Sequence, residues 1–150
     1  MNERTMESGS GAKPARPGLV GRRILVVDDE EATRVLAAAC IRHVLGEEYQ
    51  VLQAANGREG VAVAERERPD LILLDIMMPD VDGFEVCRQL KASAATKHIP
   101  VVFLTALGQE KDVEQGLALG GAGYVIKPFN PVTLAAQISC LLAPGDQEPP

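Results

Sequence analysis

Three acids, a threonine and a lysine stand at the ends of short apolar runs in this sequence. Asp28 and Asp29 follow RILVV, Asp75 closes LILLD, Thr105 and Ala106 close IPVVFLTA, and Lys127 closes YVIK just before Pro128. A charge is costly to desolvate, so a carboxylate at the end of so apolar a run as 71–74 calls for an explanation. Three carboxylates brought together would repel, and one of them would be driven to keep its proton. A lysine and a divalent cation relieve that repulsion, and oxygen ligands with retained waters suit Mg²⁺. A phosphoryl group arriving at Asp75 could then have its oxygens met by the metal, Lys127 and Thr105. Phosphoryl transfer asks little more of a protein than positioning and charge neutralisation. A carboxylate can be the nucleophile, giving an aspartyl phosphate, and Asp75 is the candidate acceptor.

Taken singly, each residue has a plainer explanation. Asp28 and Asp29 could be an acid pair at the positive end of a helix dipole. Lys127 could be a solvated charge and Thr105 an ordinary strand residue. Met77 and Met78 read as loop packing, and His43 and His98 as surface residues. It is the set that points to a site.

Residues so far apart in the chain meet only if the fold gathers them. The 150 residues are 46% hydrophobic but only 3% aromatic, with no Trp, so the core must be Val, Leu, Ile and Ala. Strands are expected at 23–27, 49–54, 71–75, 99–106 and 124–128. Helices are expected between them and after the last. The first spans about 31–45 with Leu36, Cys40 and Val44 inward. The second is opened by a capping box of Asn56 and Glu59 and stopped by Pro69. The third spans 83–92 with Phe84, Cys87 and Leu90 inward. The fourth, from Gln109 to Leu119, is weakened by Gly116. The fifth starts at Asn130–Pro131 with Leu134, Ile138 and Leu141 inward.

Unbroken apolar strands are expected where helices cover both sheet faces; the alternating run 49–54 fits a sheet edge. The fold class is α/β, a five-stranded parallel doubly wound sheet with five helices and right-handed crossovers. Ligands of such sheets sit beyond the carboxyl ends of the strands, where the acids, Thr105 and Lys127 stand. Strand two ends in Ala54 and Ala55 and adds nothing.

Composition narrows the classes. A net charge of −6 argues against direct nucleic-acid binding, which needs a basic face. Cys40, Cys87 and Cys140 have no metal or disulfide spacing and read as reduced, buried thiols of a cytoplasmic protein. No apolar run approaches the ~18 residues of a membrane span. Residues 1–21 lack the apolar centre of a signal peptide and read, like 143–150, as a loose end around one domain at 22–142.

VVDDEEATR, LILLDIMMPDVDGFEVC, VVFLTA and YVIKPF together resemble the receiver domain of two-component response regulators. The resemblance implies the flavodoxin-like strand order 2-1-3-4-5, which is taken over from the family rather than read from the residues. It implies a phosphoryl-accepting switch: Asp75 takes a phosphoryl group from a sensor histidine kinase or a histidine phosphotransfer protein. Asp28, Asp29, Asp75 and the backbone carbonyl of Met77 would hold Mg²⁺. Thr105 would bond a phosphoryl oxygen and move inward, Lys127 would pair with the phosphoryl group, and the Lys127–Pro128 bond would be cis. Ala106 would leave room for the donor. Thr105 and Tyr124 would form the switch, and helix four, strand five and helix five would be read by a downstream protein or effector domain. A phosphorylation-dependent homodimer is compatible with this. Such a domain catalyses its own phosphorylation and dephosphorylation only and is not otherwise an enzyme.

There are departures. Gly123 stands where the family commonly has an acid. Met77 and Leu107, two residues beyond Asp75 and Thr105, are apolar where hydrolytic water passes, so slow self-dephosphorylation is expected. Gly116, Gly120, Gly121 and Gly123 are expected to loosen the output face. Two other classes fit the residues less well. A haloacid-dehalogenase-type phosphatase needs a second acid two residues past the nucleophile, and position 77 is Met. A flavodoxin-like flavin binder needs a hydroxyl-rich phosphate loop where this chain has DDEEAT.

Overall fold

The computed structural model describes residues 22–106 and 110–142. Strands and helices alternate: β1 (Arg23–Val27), α1 (Glu31–Leu45), β2 (Gln50–Ala54), α2 (Gly57–Glu67), β3 (Leu71–Asp75), α3 (Gly83–Ala92), β4 (Val101–Ala106), α4 (Glu110–Ala118), β5 (Gly123–Lys127) and α5 (Pro131–Leu142). All strand pairs are parallel, in the order β2-β1-β3-β4-β5. The strands lie within two residues of their expected bounds. The expectations for 1–21, 143–150 and Leu107 fall outside the described residues.

Side chains alternate across each strand, and the sheet divides the core in two. Leu25, Val27, Ile72, Leu74, Val101 and Phe103 face α2 and α3. Ile24, Val26, Leu71, Leu73, Val102 and Leu104 face α1 and α5. Every residue of β3 is buried. Burying each Leu or Ile contributes about 1.5–3 kcal/mol relative to exposure, and this rigid centre fixes where the strand ends emerge.

The helix starts follow local chemistry. Asn56 Oδ1 accepts from the Glu59 N–H at 2.8 Å. Glu59 Oε1 reaches back to the Ala55 N–H at 2.7 Å, one residue short of the usual capping-box partner. Asn130 Oδ1 accepts from the N–H groups of Val132 and Thr133.

Three expectations need correction. The inward stripe of α1 is Ala37, Ala38, Cys40 and Ile41, while Leu36 and Val44 are nearly half exposed. Ala37 and Ala38 are buried, and so small a side chain carries little hydrophobic signal in the sequence. Cys140 is exposed on α5, whereas Cys40 and Cys87 are buried; all three are free. Gly116 and Gly121 serve close packing rather than looseness. A Cβ on either would lie 2.6 or 2.5 Å from the ring of Phe103, which Phe84 meets edge-on with centroids 5.9 Å apart.

Candidate functional site

The site grows out of strand register. Val27 of β1 pairs with Leu74 of β3, so the next residues, Asp28 and Asp75, leave the sheet side by side. Asp75 lies against Leu104 of β4, which puts Thr105 one step beyond. Ala106 in turn pairs with Lys127 of β5. Four strand ends thus deliver the five residues to one edge of the sheet.

Carboxylate oxygens of Asp28, Asp29 and Asp75 lie within 4.8 Å of one another. The Lys127 ammonium donates to Asp28 Oδ2 at 3.2 Å and to Asp75 Oδ1 at 3.4 Å. Asp28 is fully buried and Asp75 only 4% exposed, while Asp29 faces solvent. Asp28 is fixed from two sides. Its Oδ1 accepts from the Glu30 N–H at 2.9 Å, and its backbone carbonyl accepts from Arg34 Nη1 at 2.8 Å.

Burial pushes the Asp75 carboxyl up to about 6, and the Asp28 carboxylate adds to the rise; Lys127 and the Met77 backbone N–H, which both hydrogen-bond Asp75, pull the other way. Burial favours the neutral amine of Lys127, yet Asp75 and Asp28 outweigh it and hold its pKa above the ordinary value. A carboxylate this reluctant to ionise, beside two others and with one lysine among them, leaves negative charge for a further cation. The donors are hard oxygens, as Mg²⁺ prefers. The site therefore fits a divalent metal held by Asp28, Asp29 and Asp75.

Thr105 is buried at 2% exposure, and its hydroxyl donates a long 3.5 Å hydrogen bond to the Ala106 carbonyl. Ala106 is exposed at the mouth. Met77 turns its side chain into solvent. The Lys127–Pro128 bond is cis, as expected. Tyr124 stands apart from the cluster, paired with Phe103 two register steps before Thr105. It is exposed and borders a cavity of about 420 Å³ with Asn130, Thr133 and Gln137.

Two residues escaped the sequence reading. Arg34 supports Asp28 from α1 and also donates to Gln53 Oε1. Asp80 joins the loop after β3 to α2. Neither has a spacing that distinguishes it from a surface charge.

A family model described as the response regulator receiver domain matches residues 24–139. The chain belongs to that family. Over 135 residues it is 42% identical to the phosphate regulon transcriptional regulatory protein PhoB of Pseudomonas aeruginosa, covering 88% of this chain and 58% of that protein. Over 120 residues it is 48% identical to the response regulator PleD of Caulobacter vibrioides, covering 79% and 26%. The receiver domain thus spans less than two thirds of either relative. Among solved structures it resembles the chemotaxis protein CheY4 of Vibrio cholerae, with a TM-score of 0.73 and 32% identity over 80% of this chain and 98% of that one. The receiver domain of a Pseudomonas aeruginosa sensor histidine kinase, solved with magnesium coordinated in its active-site cleft, matches with a TM-score of 0.73 and 31% identity over 82% and 98%. This chain is accordingly a receiver domain homologous to those of two-component systems, and it carries an acidic cluster compatible with Mg²⁺. Among the described residues no helix is long and apolar enough to cross a membrane.

Proposed function

We propose that this receiver domain, taken as residues 22–142, accepts a phosphoryl group on Asp75 from the phosphohistidine of a sensor histidine kinase or histidine phosphotransfer protein. The observation that carries the proposal is the Lys127 ammonium standing between two carboxylates, 3.2 Å from Asp28 and 3.4 Å from Asp75. An Asp75 oxygen forms a bond to phosphorus as the phosphorus–nitrogen bond of the donor breaks. The imidazole leaves with that electron pair and takes up a proton. Asp75 must be ionised to attack, and Lys127 favours that form before pairing with the phosphoryl oxygens. The weakly held Thr105 hydroxyl turns to another phosphoryl oxygen, and Ala106 leaves the approach open.

Asp28, Asp29, Asp75 and the backbone carbonyl of Met77 would hold Mg²⁺, which when bound neutralises charge on the phosphoryl oxygens. The chain catalyses this transfer to itself and its own slow hydrolysis, the apolar side chain of Met77 giving water little to orient on. It does no other chemistry, and the setting is cytoplasmic. Thr105 and Tyr124 then bias the face of α4, β5 and α5 toward a downstream protein, an effector domain or a second copy. Shifting a two-state equilibrium from 1:99 to 99:1 takes ~5.5 kcal/mol. A hydrogen bond to a charged group supplies roughly 1.5–3 kcal/mol, so the partner's own binding completes the shift.

Intact-mass measurement with acetyl phosphate and Mg²⁺ tests the proposal. One hydroxylamine-sensitive phosphoryl group per chain, as an acyl phosphate gives, is expected, and none on Asp75→Asn. Equal labelling of that variant would reassign the acceptor, and turnover of simple phosphate esters would point to a phosphatase instead.

A further inference from the structure

The loop from Ile76 to Asp82 carries the Met77 backbone to the edge of the site. It is closed on itself by the Gly83 N–H, which donates to the Ile76 carbonyl at 2.8 Å, and it is tied to β4 by the Ile76 N–H on the Leu104 carbonyl at 3.2 Å. Met78 gives it a buried apolar anchor. Its tip has a polar anchor that none of the roles above uses. Asp80 Oδ1 accepts from the Gly57 N–H at 3.0 Å and Oδ2 from the Arg58 N–H at 3.1 Å. These are the first two residues of α2, whose N–H groups have no partner within the helix.

A second contact shows how tightly the two segments fit. A Cβ on Gly57 would lie 2.7 Å from the Val81 carbonyl oxygen, so loop backbone rests directly on the start of α2. Met77 lies between the Ile76 anchor and the Asp80 anchor. Its N–H stands close enough to lower the Asp75 pKa, so a shift of the loop, carried along Pro79 and Met78, is felt at the acceptor carboxylate.

We propose that Asp80 is a positioning residue of the acceptor site: its two-oxygen bridge to α2 fixes the loop that presents Met77, and so sets the affinity for Mg²⁺ and the rate of phosphoryl transfer. This rests on the acceptor function proposed for Asp75. The ionised form that the bridge needs is favoured. Desolvation raises the Asp80 pKa, but the N–H donors of Gly57, Arg58 and Val81 outweigh it and leave the group below its ordinary value.

The test is calorimetric titration of the whole chain with Mg²⁺ alone, followed by acetyl phosphate labelling. Asp80→Ala should raise the Mg²⁺ Kd on the order of tenfold, as the loss of an outer-shell support does. Asp80→Asn keeps one acceptor for Gly57 and should fall between. Asn56→Ala is the control for α2 stability by itself: it removes the cap on Glu59 but leaves the bridge. It should lower the melting temperature in EDTA and leave the Mg²⁺ Kd in place. A Kd for Asp80→Ala within about twofold of the parent overturns the proposal, as does an equal rise in Asn56→Ala. If Asp80→Ala does not fold, the same criterion applies to Asp80→Asn. Failure of the parent chain to take up phosphate would sink the acceptor function separately, since the Mg²⁺ comparison stands without it.

Discussion

Replacing Asp75 by Asn should make the metal-free protein more stable at neutral pH while removing the proposed acceptor. The native fold raises this carboxyl from 3.8 to about 6, so the folded state binds the proton more tightly than the unfolded chain. For an acid shifted upward, stability is greatest at low pH and falls as pH rises from about 4 through 6, where the unfolded chain has lost its proton and the folded one is being forced to. At ~1.4 kcal/mol per pH unit between the two values, the full penalty has a ceiling of ~3 kcal/mol. Water at the mouth, where Asp29 is exposed and Lys127 only partly covered, screens it, so about 1–2 kcal/mol is expected. The neutral amide escapes this penalty. Urea unfolding in EDTA should give equal stability for the two proteins near pH 4 and an Asn advantage of about 1–2 kcal/mol at pH 7.5, or roughly 3–8 °C in Tm. Adding Mg²⁺ should stabilise the parent by RT ln(1 + [Mg²⁺]/Kd) and the variant by less. A variant no more stable than the parent at pH 7.5, or an advantage independent of pH, would show that Asp75 is not held against repulsion, and the electrostatic basis of the site would fail.

Further outcomes follow from the same geometry. Lys127→Ala should push the Asp75 pKa higher still and slow acetyl phosphate labelling by about 10²-fold or more; a labelling rate near that of the parent would remove Lys127 from the site. Gly116→Ala and Gly121→Ala each place a methyl against the Phe103 ring and should cost about 1–3 kcal/mol in urea unfolding, whereas unchanged midpoints would mean that α4 moves aside freely. The phosphorylated chain should persist for minutes or longer after the donor is removed, and a half-life of seconds would contradict the inference from Met77 and Leu107. Arg34→Ala should weaken Mg²⁺ binding severalfold through the loosened Asp28 carbonyl, a result read directly by titration.

Much of this was legible in the residue order. Unbroken apolar runs such as LILLD can be satisfied only between two helical layers, which made the α/β class readable from hydrophobic pattern. Because parallel strands all point one way, the residues at their carboxyl ends, Asp28, Asp29, Asp75, Thr105 and Lys127, had to share an edge. The inward face of α1 was less legible, because it is built from Ala37 and Ala38. Both are buried, but side chains so small carry little apolar signal, and a reading by hydrophobicity passes over them in favour of Leu36 and Val44. The glycines at 116 and 121 looked like weak points because nothing in the chain nearby announces that the ring of Phe103 will occupy the space.

The linear order determined the elements and the membership of the acidic edge, since both depend on residue type and on the periodicity that neighbours along the chain impose. Only the tertiary structure decided that the Lys127 ammonium reaches both Asp28 and Asp75, that burial lifts the Asp75 carboxyl to about 6, and that Asp80 joins its loop to α2. Those are matters of distance and dielectric, set by how segments far apart in the chain pack together, and no local pattern encodes them.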